Sequence, residues 1–161
     1  MDAFVQPLYE LADFDAIIRQ LKKPGIVQVS GCLDSQKAHF TNGLLREFPF
    51  RLIVAENDLK AKAFYEDFRL YDPEVLYYPA RDLIFYQADI HGNLLTRQRI
   101  QVLRALLERE EVTIVTSIDS CLDCLVPLAV WKEKVIKIRN DSEIDLDRMK
   151  RHLVELGYEW A

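Results

Sequence analysis

Short runs of apolar, mostly β-branched residues alternate along this chain with segments in which apolar residues recur at helical spacing. Such runs are typical of buried strands when Gly, Pro or Asn residues flank them. The predicted strands cover residues 26–29, 51–55, 75–78 and 112–116. Because strands that alternate with helices form parallel sheets through right-handed crossovers, the pattern predicts an α/β fold with helices on both faces of a parallel sheet.

Four helices are predicted between and before these strands from apolar residues three and four positions apart. Pro24 and Gly25 end the first helix, and Asn57 or Asp58 caps the third. The predicted inward faces are Phe14, Ile17, Ile18 and Leu21; Ala38, Thr41, Leu45 and Phe48; Ala61, Phe64, Tyr65 and Phe68; and Ile100, Leu103, Leu106 and Leu107.

The pattern changes after Pro127. A further strand is predicted at 135–138, followed by a helix that starts at Asp145 or Asp147 and turns Met149, Leu153 and Leu156 inward. We therefore predict two domains, an α/β domain at 1–127 and the beginning of a small α+β domain at 128–161. Residues 158–161 resemble the opening of another strand, so we expect the sequence to be an N-terminal piece of a longer protein.

Segment 31–38 follows the first predicted strand and resembles a phosphate-binding P-loop, G-x-x-x-x-G-K-[ST]. Gly31 and Lys37 keep its spacing, with Ser35 as a further member of the vestigial segment, but Gln36 replaces the close-approach glycine and Ala38 replaces the hydroxyl that binds magnesium. Such a loop would lie at the carboxyl edge of the sheet, where α/β folds bind ligands. We therefore expect a vestigial P-loop without catalytic or cofactor-binding residues, although its loop geometry could survive.

Lys37 has two interpretations. Its charge is unfavourable at a helix start unless an anion or Asp34 offsets it, so it is either a solvated lysine or a vestigial phosphate contact. We expect Lys37→Ala to leave folding and partner binding unchanged.

The net charge of −5 argues against a surface that clamps a nucleic-acid backbone, because that work needs clustered lysine and arginine. The sequence shows neither a secretory leader nor an apolar run near the ~20 residues of a membrane span, so a cytoplasmic location is predicted. Cys121 and Cys124 have the spacing of half a zinc site or a redox pair, but no second pair completes a zinc site. We expect no metal and two buried thiols on a short helix.

The chain resembles the N-terminal UvrB-like region of the bacterial transcription-repair coupling factors, the Mfd family, which is itself similar to the excision-repair protein UvrB. The resemblance covers essentially the whole chain and is most specific at 78–82 (YPARD), 85–89 (FYQAD) and 97–117. It extends to 144–158, which resembles the entry to the second small domain of both families. In UvrB the loop equivalent to 31–38 is an intact ATP site, whereas in the Mfd family it is degenerate. At Gln36 and Ala38 this chain resembles the degenerate loop of the Mfd family. It departs from that family at Lys37, where the lysine is retained.

The resemblance implies a degenerate P-loop NTPase or helicase-like fold and a role in DNA repair, namely transcription-coupled nucleotide excision repair. It implies that the full-length protein displaces stalled RNA polymerase with an ATP- and magnesium-dependent DNA translocase located elsewhere, and recruits UvrA. The second domain would dock UvrA through residues mostly beyond Ala161, and the module would contact the C-terminal region of the same protein. RNA polymerase and DNA would bind other parts.

Three functions remain to be distinguished. The first is the non-catalytic interaction module that the resemblance implies, and the second is a P-loop domain that retains weak ATP binding. No Asp-Glu pair follows an obvious apolar strand, which disfavours catalysis. The third is a single-strand-binding platform of aromatic and arginine side chains, Tyr77, Tyr78, Phe85 and Tyr86 beside Arg81, Arg97 and Arg99.

Overall fold

The computed structural model describes residues 4–80, 89–136, 138, 143 and 145–155. The chain separates into two compact units, Met1–Cys124 and Leu125–Ala161. This division falls three residues before the predicted boundary at 127, and the assignment of the two units to named domains stays a prediction. Within the described residues, every helix is too short or too polar to cross a lipid bilayer.

Three parallel strands form the sheet of the first unit: β1 (Phe50–Ala55), β2 (Leu76–Tyr78) and β3 (Val112–Ser117). Their spatial order is β1-β3-β2, with Leu52 and Leu76 both paired to Ile114. The central strand is buried along its whole length, as expected for a parallel strand covered on both faces. The predicted α/β class is confirmed.

Helices α2 (Asp34–Leu45) and α3 (Asp58–Phe68) contribute to the core on one face of the sheet. Ala61 and Phe68 of α3 are fully buried there against Val115 of β3, and Tyr77 of β2 belongs to the same cluster. Asn57 starts α3, since its side-chain oxygen accepts a hydrogen bond from the Lys60 amide at 2.9 Å. The predicted cap and inward face of this helix are confirmed.

Helix α4 (Asp89–Glu108) covers the opposite face, where Val102 and Ala105 pack against Val112, Ile114 and Tyr78. The predicted inward face is wrong at two positions: Leu103 is buried, but Ile100 and Leu106 are exposed. The reason is the polar residue Arg99, whose side chain turns inward, so that the buried stripe runs one position earlier than the apolar pattern indicates.

The predicted first strand at 26–29 is not a strand in the structure. Residues 26–33 have no helical or strand assignment, and Ile26 is 99% exposed. Local pattern predicts that a segment can extend, but a strand also needs a neighbouring ladder to pair with. Among the described residues only β3 pairs with β1. The first strand of the sheet along the chain is therefore β1, and the predicted strand at 26–29 is wrong.

The N-terminal part packs as a small satellite cluster. A 3-10 helix (Gln6–Glu10) precedes α1 (Phe14–Leu21), and Leu8, Phe14 and Ile18 form a buried cluster with Phe40 and Leu44 of α2. The predicted inward position of Phe14 and Ile18 is confirmed.

A four-residue helix, α5 (Ile118–Cys121), follows β3, with the Ser117 hydroxyl accepting from the Ser120 amide at 3.3 Å. The second unit contains α6 (Leu128–Lys134) and α7 (Leu146–Glu155). Asp145 caps α7 as predicted, since its carboxylate accepts from the amides of Asp147 and Arg148 at 3.0 and 3.1 Å. The predicted strand at 135–138 is absent at residues 135, 136 and 138, and Lys137 and Leu156 lie outside the described residues.

Candidate functional site

The P-loop-like segment contains a turn and the first turn of a helix. Gly31 has φ +89°, a left-handed conformation that residues with a Cβ rarely adopt, and Leu33 is extended. Helix α2 then begins at Asp34, so Ser35, Gln36 and Lys37 are already helical. In a working P-loop the backbone amides of this segment cradle phosphate oxygens. Here the amide of Gln36 donates instead to the carbonyl oxygen of Leu33, at 2.9 Å.

Gln36, at the position of the close-approach glycine, has a structural contact. Its side-chain oxygen accepts a hydrogen bond from the Leu33 amide at 3.2 Å. This is the reciprocal half of a capping box, in which the third residue of a helix reaches back to the residue before the helix. Gln36 therefore occupies the Leu33 amide and stabilises the start of α2.

Lys37 is neutralised within its own helical turn. Its ammonium group lies 2.6 Å from a carboxylate oxygen of Asp34, three residues earlier. The hydrogen bond and charge of Lys37 lower the pKa of Asp34, and Asp34 raises the pKa of Lys37 in turn. Both groups are solvated, so the pair adds little to stability. Its effect is on charge, because the one cation of the P-loop pattern is already matched by an anion.

Ala38, at the position of the magnesium-binding hydroxyl, is a core residue. It is 3% exposed and belongs to the same cluster as Ala61, Phe68 and Val115. A methyl group is the whole side chain, so this position supplies no oxygen for a metal ion. Ser35 and Gly31 are exposed.

Charged residues that follow β1 act on the ion pair of this segment. Glu56, directly after β1, acts electrostatically on Lys37, and Lys60 in the first turn of α3 acts on Asp34. Glu56 and Lys60 form their own ion pair at 2.5 Å. The cluster thus alternates in sign, which favours neither an anionic nor a cationic ligand strongly.

A second polar cluster joins the carboxyl ends of all three strands, and sequence reasoning did not identify it. The Asp58 carboxylate accepts from the Ala80 amide at 3.1 Å and from the Ser117 hydroxyl at 3.4 Å. The Tyr77 hydroxyl donates to the Asp58 carbonyl oxygen at 3.4 Å, and burial raises the pKa of Tyr77. The available signal was that Asp58 and Ser117 both follow apolar runs. These polar groups satisfy one another and hold the strand ends together.

The aromatic and arginine residues proposed as a stacking platform are mostly structural where the structure describes them. Tyr77 and Tyr78 are buried. Arg99, 6% exposed, lies over the Tyr78 ring at 4.2 Å and donates to the Pro79 carbonyl oxygen at 2.7 Å. Arg97 is exposed on α4. The remaining members, Arg81, Phe85 and Tyr86, lie outside the described residues, as do the other residues of 81–88.

The prediction of two buried thiols is wrong. Cys121 ends α5 and Cys124 follows it, and both are exposed, while Cys32 is half-buried. Cys121 is the last residue of a four-residue helix and Cys124 lies beyond it, beside the exposed side chains of Leu122 and Leu125, so their spacing alone did not report burial. The described residues contain no group of three or more His, Cys, Asp or Glu side chains arranged to hold a metal ion.

No protein-family model matches the chain. Individual proteins do match it over most of its length, and their names belong to one class: DNA-repair factors of the transcription-coupled and nucleotide-excision type. In particular, the chain is similar to the transcription-repair-coupling factor of Bacillus subtilis, with 29% identity over 99% of the chain and 14% of that protein. It is also similar to the UvrABC system protein B of Treponema denticola, with 29% identity over 89% of the chain and 20% of that protein.

A third relative is the transcription-repair-coupling factor of Staphylococcus epidermidis, with 26% identity over 82% of the chain and 12% of that protein. The chain therefore spans a fifth or less of the length of these three relatives. The predicted resemblance to the UvrB-like region of transcription-repair-coupling factors is confirmed.

Proposed function

We propose that this chain is a non-catalytic interaction module of a transcription-coupled nucleotide-excision-repair factor. The observation that carries the proposal is the state of the P-loop-like segment. Lys37 is paired with Asp34, Gln36 caps the helix, and Ala38 is buried in the core. The chain is similar to transcription-repair-coupling factors. In such a chain, the state of this segment favours a scaffold role, in which the α/β fold is kept without nucleotide hydrolysis.

The rest of the proposal follows from the resemblance. The full-length protein would be a cytoplasmic enzyme that uses ATP and magnesium in a separate DNA translocase to displace stalled RNA polymerase. This module would need no cofactor. It would contribute to UvrA docking through the second domain and would contact the C-terminal region of the same protein.

A calorimetric titration with Mg-ATP tests the proposal. We expect no heat of binding from the natural chain at protein concentrations that detect millimolar affinity, because neither the metal ligand nor a free cation is present in the segment. Tight magnesium-dependent binding would overturn the proposal and favour a nucleotide-dependent enzyme or switch.

A variant with Gln36→Gly and Ala38→Thr restores the two missing P-loop residues and is titrated alongside. Binding gained by this variant would indicate that the geometry of the segment can still accommodate a nucleotide. Its melting temperature is measured first, because the change removes a cap contact and adds bulk to a buried position.

The alternative function is weak nucleotide binding at the N-terminus of α2. Its support is the retained Lys37 in the first turn of a twelve-residue helix, where amides and the helix dipole favour an anion. Weak heat that disappears in Lys37→Ala but persists in Lys60→Ala would favour it. UvrA binding by the full-length protein carrying Lys37→Ala separates the two functions, since the interaction module predicts no loss.

A further inference from the structure

The turn after α5 presents two thiols to solvent and one carboxylate to the protein interior. Cys121 and Cys124 are exposed and free, three residues apart. Asp123 lies between them, and its carboxylate is 2.8 Å from the guanidinium of Arg99. The Cys-x-x-Cys pair is thus adjacent to an internal ion pair, an arrangement that neither the proposed function nor the P-loop-like segment uses.

Arg99 connects this turn to the sheet. Its side chain is almost completely buried, and the same guanidinium donates to the Pro79 carbonyl oxygen directly after β2 and lies over the Tyr78 ring. Asp123 is the carboxylate that the structure places beside this buried charge. Because a buried cation depends strongly on its counter-charge, a displacement of Asp123 affects the α4 and β2 ends together.

We propose that Cys121 and Cys124 form a reversible disulfide that shifts Asp123 and thereby loosens the Arg99 contact with the end of β2. Leu122 keeps helical backbone angles, and its amide bonds to the Asp119 carbonyl at 3.3 Å, so the pair begins in a turn-like geometry. Cys121 is the last residue of α5, and Cys124 lies beyond it without a helical assignment. A disulfide requires the two Cβ atoms to be about 3.5–4.5 Å apart. Closure therefore fixes the backbone of the turn, and Asp123 is inside the closed ring.

The oxidation balances with a disulfide of low molecular weight, such as oxidised glutathione. The thiolate of one cysteine attacks a glutathione sulfur, which forms a mixed disulfide and releases one glutathione. The second cysteine, after losing its proton, attacks the protein sulfur of that mixed disulfide and releases the second glutathione. The protein loses two protons and two electrons, and one disulfide is reduced to two thiols.

The experiment uses the chain with Cys32→Ser, so that the two cysteines of interest are the remaining thiols. The protein is equilibrated in glutathione buffers of graded redox poise and analysed by intact mass. We expect loss of two hydrogen atoms in one reversible transition. Two added glutathione groups without ring closure, or no oxidation, would overturn the proposal. Cys121→Ser and Cys124→Ser are matched controls that can form only the mixed disulfide.

Hydrogen exchange tests the coupling to Arg99. We expect oxidation to speed exchange severalfold in peptides covering 76–80 and 97–103, and Asp123→Asn to reproduce this increase in the reduced protein. Oxidation of the Asp123→Asn variant should then add little. A disulfide that leaves exchange in both peptides unchanged, or that slows it, would refute the coupling. Peptides covering α1 provide the internal reference, since Phe14 and Ile18 pack in a separate cluster.

Discussion

Lys37 and Asp34 form an ion pair of 2.6 Å within the first turn of α2. Asp34→Asn removes the carboxylate that contacts this lysine directly and leaves the more distant Glu56 as its acidic neighbour. We expect this variant to gain weak affinity for inorganic phosphate, because the ammonium group and the helix N-terminus then act together on an anion. Phosphate titration followed by NMR shifts of the amides of 34–37 measures the gain.

The matched control for that variant is Asp34→Asn combined with Lys37→Ala, which removes the charge as well. Phosphate affinity that persists in the double variant would contradict a role for the lysine. Lys37→Ala alone should leave the unfolding midpoint unchanged within error, since both members of the pair are exposed to solvent.

Tyr77 makes the folded state sensitive to alkaline pH. Its pKa is raised above the ordinary value of 10.0, chiefly by burial and then by its interaction with Asp58. Above pH 10.0 the unfolded chain releases this proton while the folded chain retains it, so the free energy of unfolding falls as pH rises. We expect Tyr77→Phe to flatten this decline. Urea unfolding midpoints measured below and above pH 10.0 give the decline in the free energy of unfolding for each protein.

The Tyr77→Phe variant also loses one long hydrogen bond, so a loss of about 0.5–1 kcal/mol is expected at neutral pH. Tyr9→Phe, which changes an exposed tyrosine, is the matched control and should keep the natural alkaline slope. An identical decline in the natural chain and Tyr77→Phe would assign the alkaline sensitivity to other groups.

Arg99 and Asp123 should show strong energetic coupling. Arg99→Met leaves the carboxylate beside an apolar side chain, and we expect a loss of roughly 3 kcal/mol in the free energy of unfolding. Adding Asp123→Leu should recover part of this loss, because the carboxylate that has lost its Arg99 contact is then replaced by an apolar side chain. Urea unfolding of the two single variants and the double variant gives the coupling. Simple additivity would mean that the 2.8 Å contact contributes nothing beyond its separate partners.

The sequence predicted helix α3 correctly, because its determinants are local. Asn57 supplies the cap, and Ala61 and Phe68 recur at helical spacing. The pairing of Lys37 with Asp34 was also foreseeable, since the two are three residues apart on one helix.

Interactions between distant segments were harder to predict. Residues 26–29 stay outside the sheet although their local pattern is that of a strand, and the inward turn of Arg99 depends on the Pro79 carbonyl twenty residues earlier. Exposure of Cys121 likewise follows from the turn beside it rather than from its own hydrophobicity. Each of these features is set by a partner that periodicity does not reveal.

Strand β1 exposes a row of apolar side chains on its α4 side, Phe50, Leu52 and Val54, while Ile53 on the other side packs against the core. Among the described residues β1 pairs only with β3, and an apolar strand at the edge of a sheet is prone to associate with a second chain. Leu52→Lys should therefore reduce concentration-dependent association, with the free energy of unfolding kept within about 0.5 kcal/mol. Light scattering across a dilution series measures the association.

Ile53→Lys is the matched control one residue away, and it should cost about 3 kcal/mol or more because it places a charge against the core. Equal losses in the two variants, or undiminished association in Leu52→Lys, would contradict the exposed placement of this row.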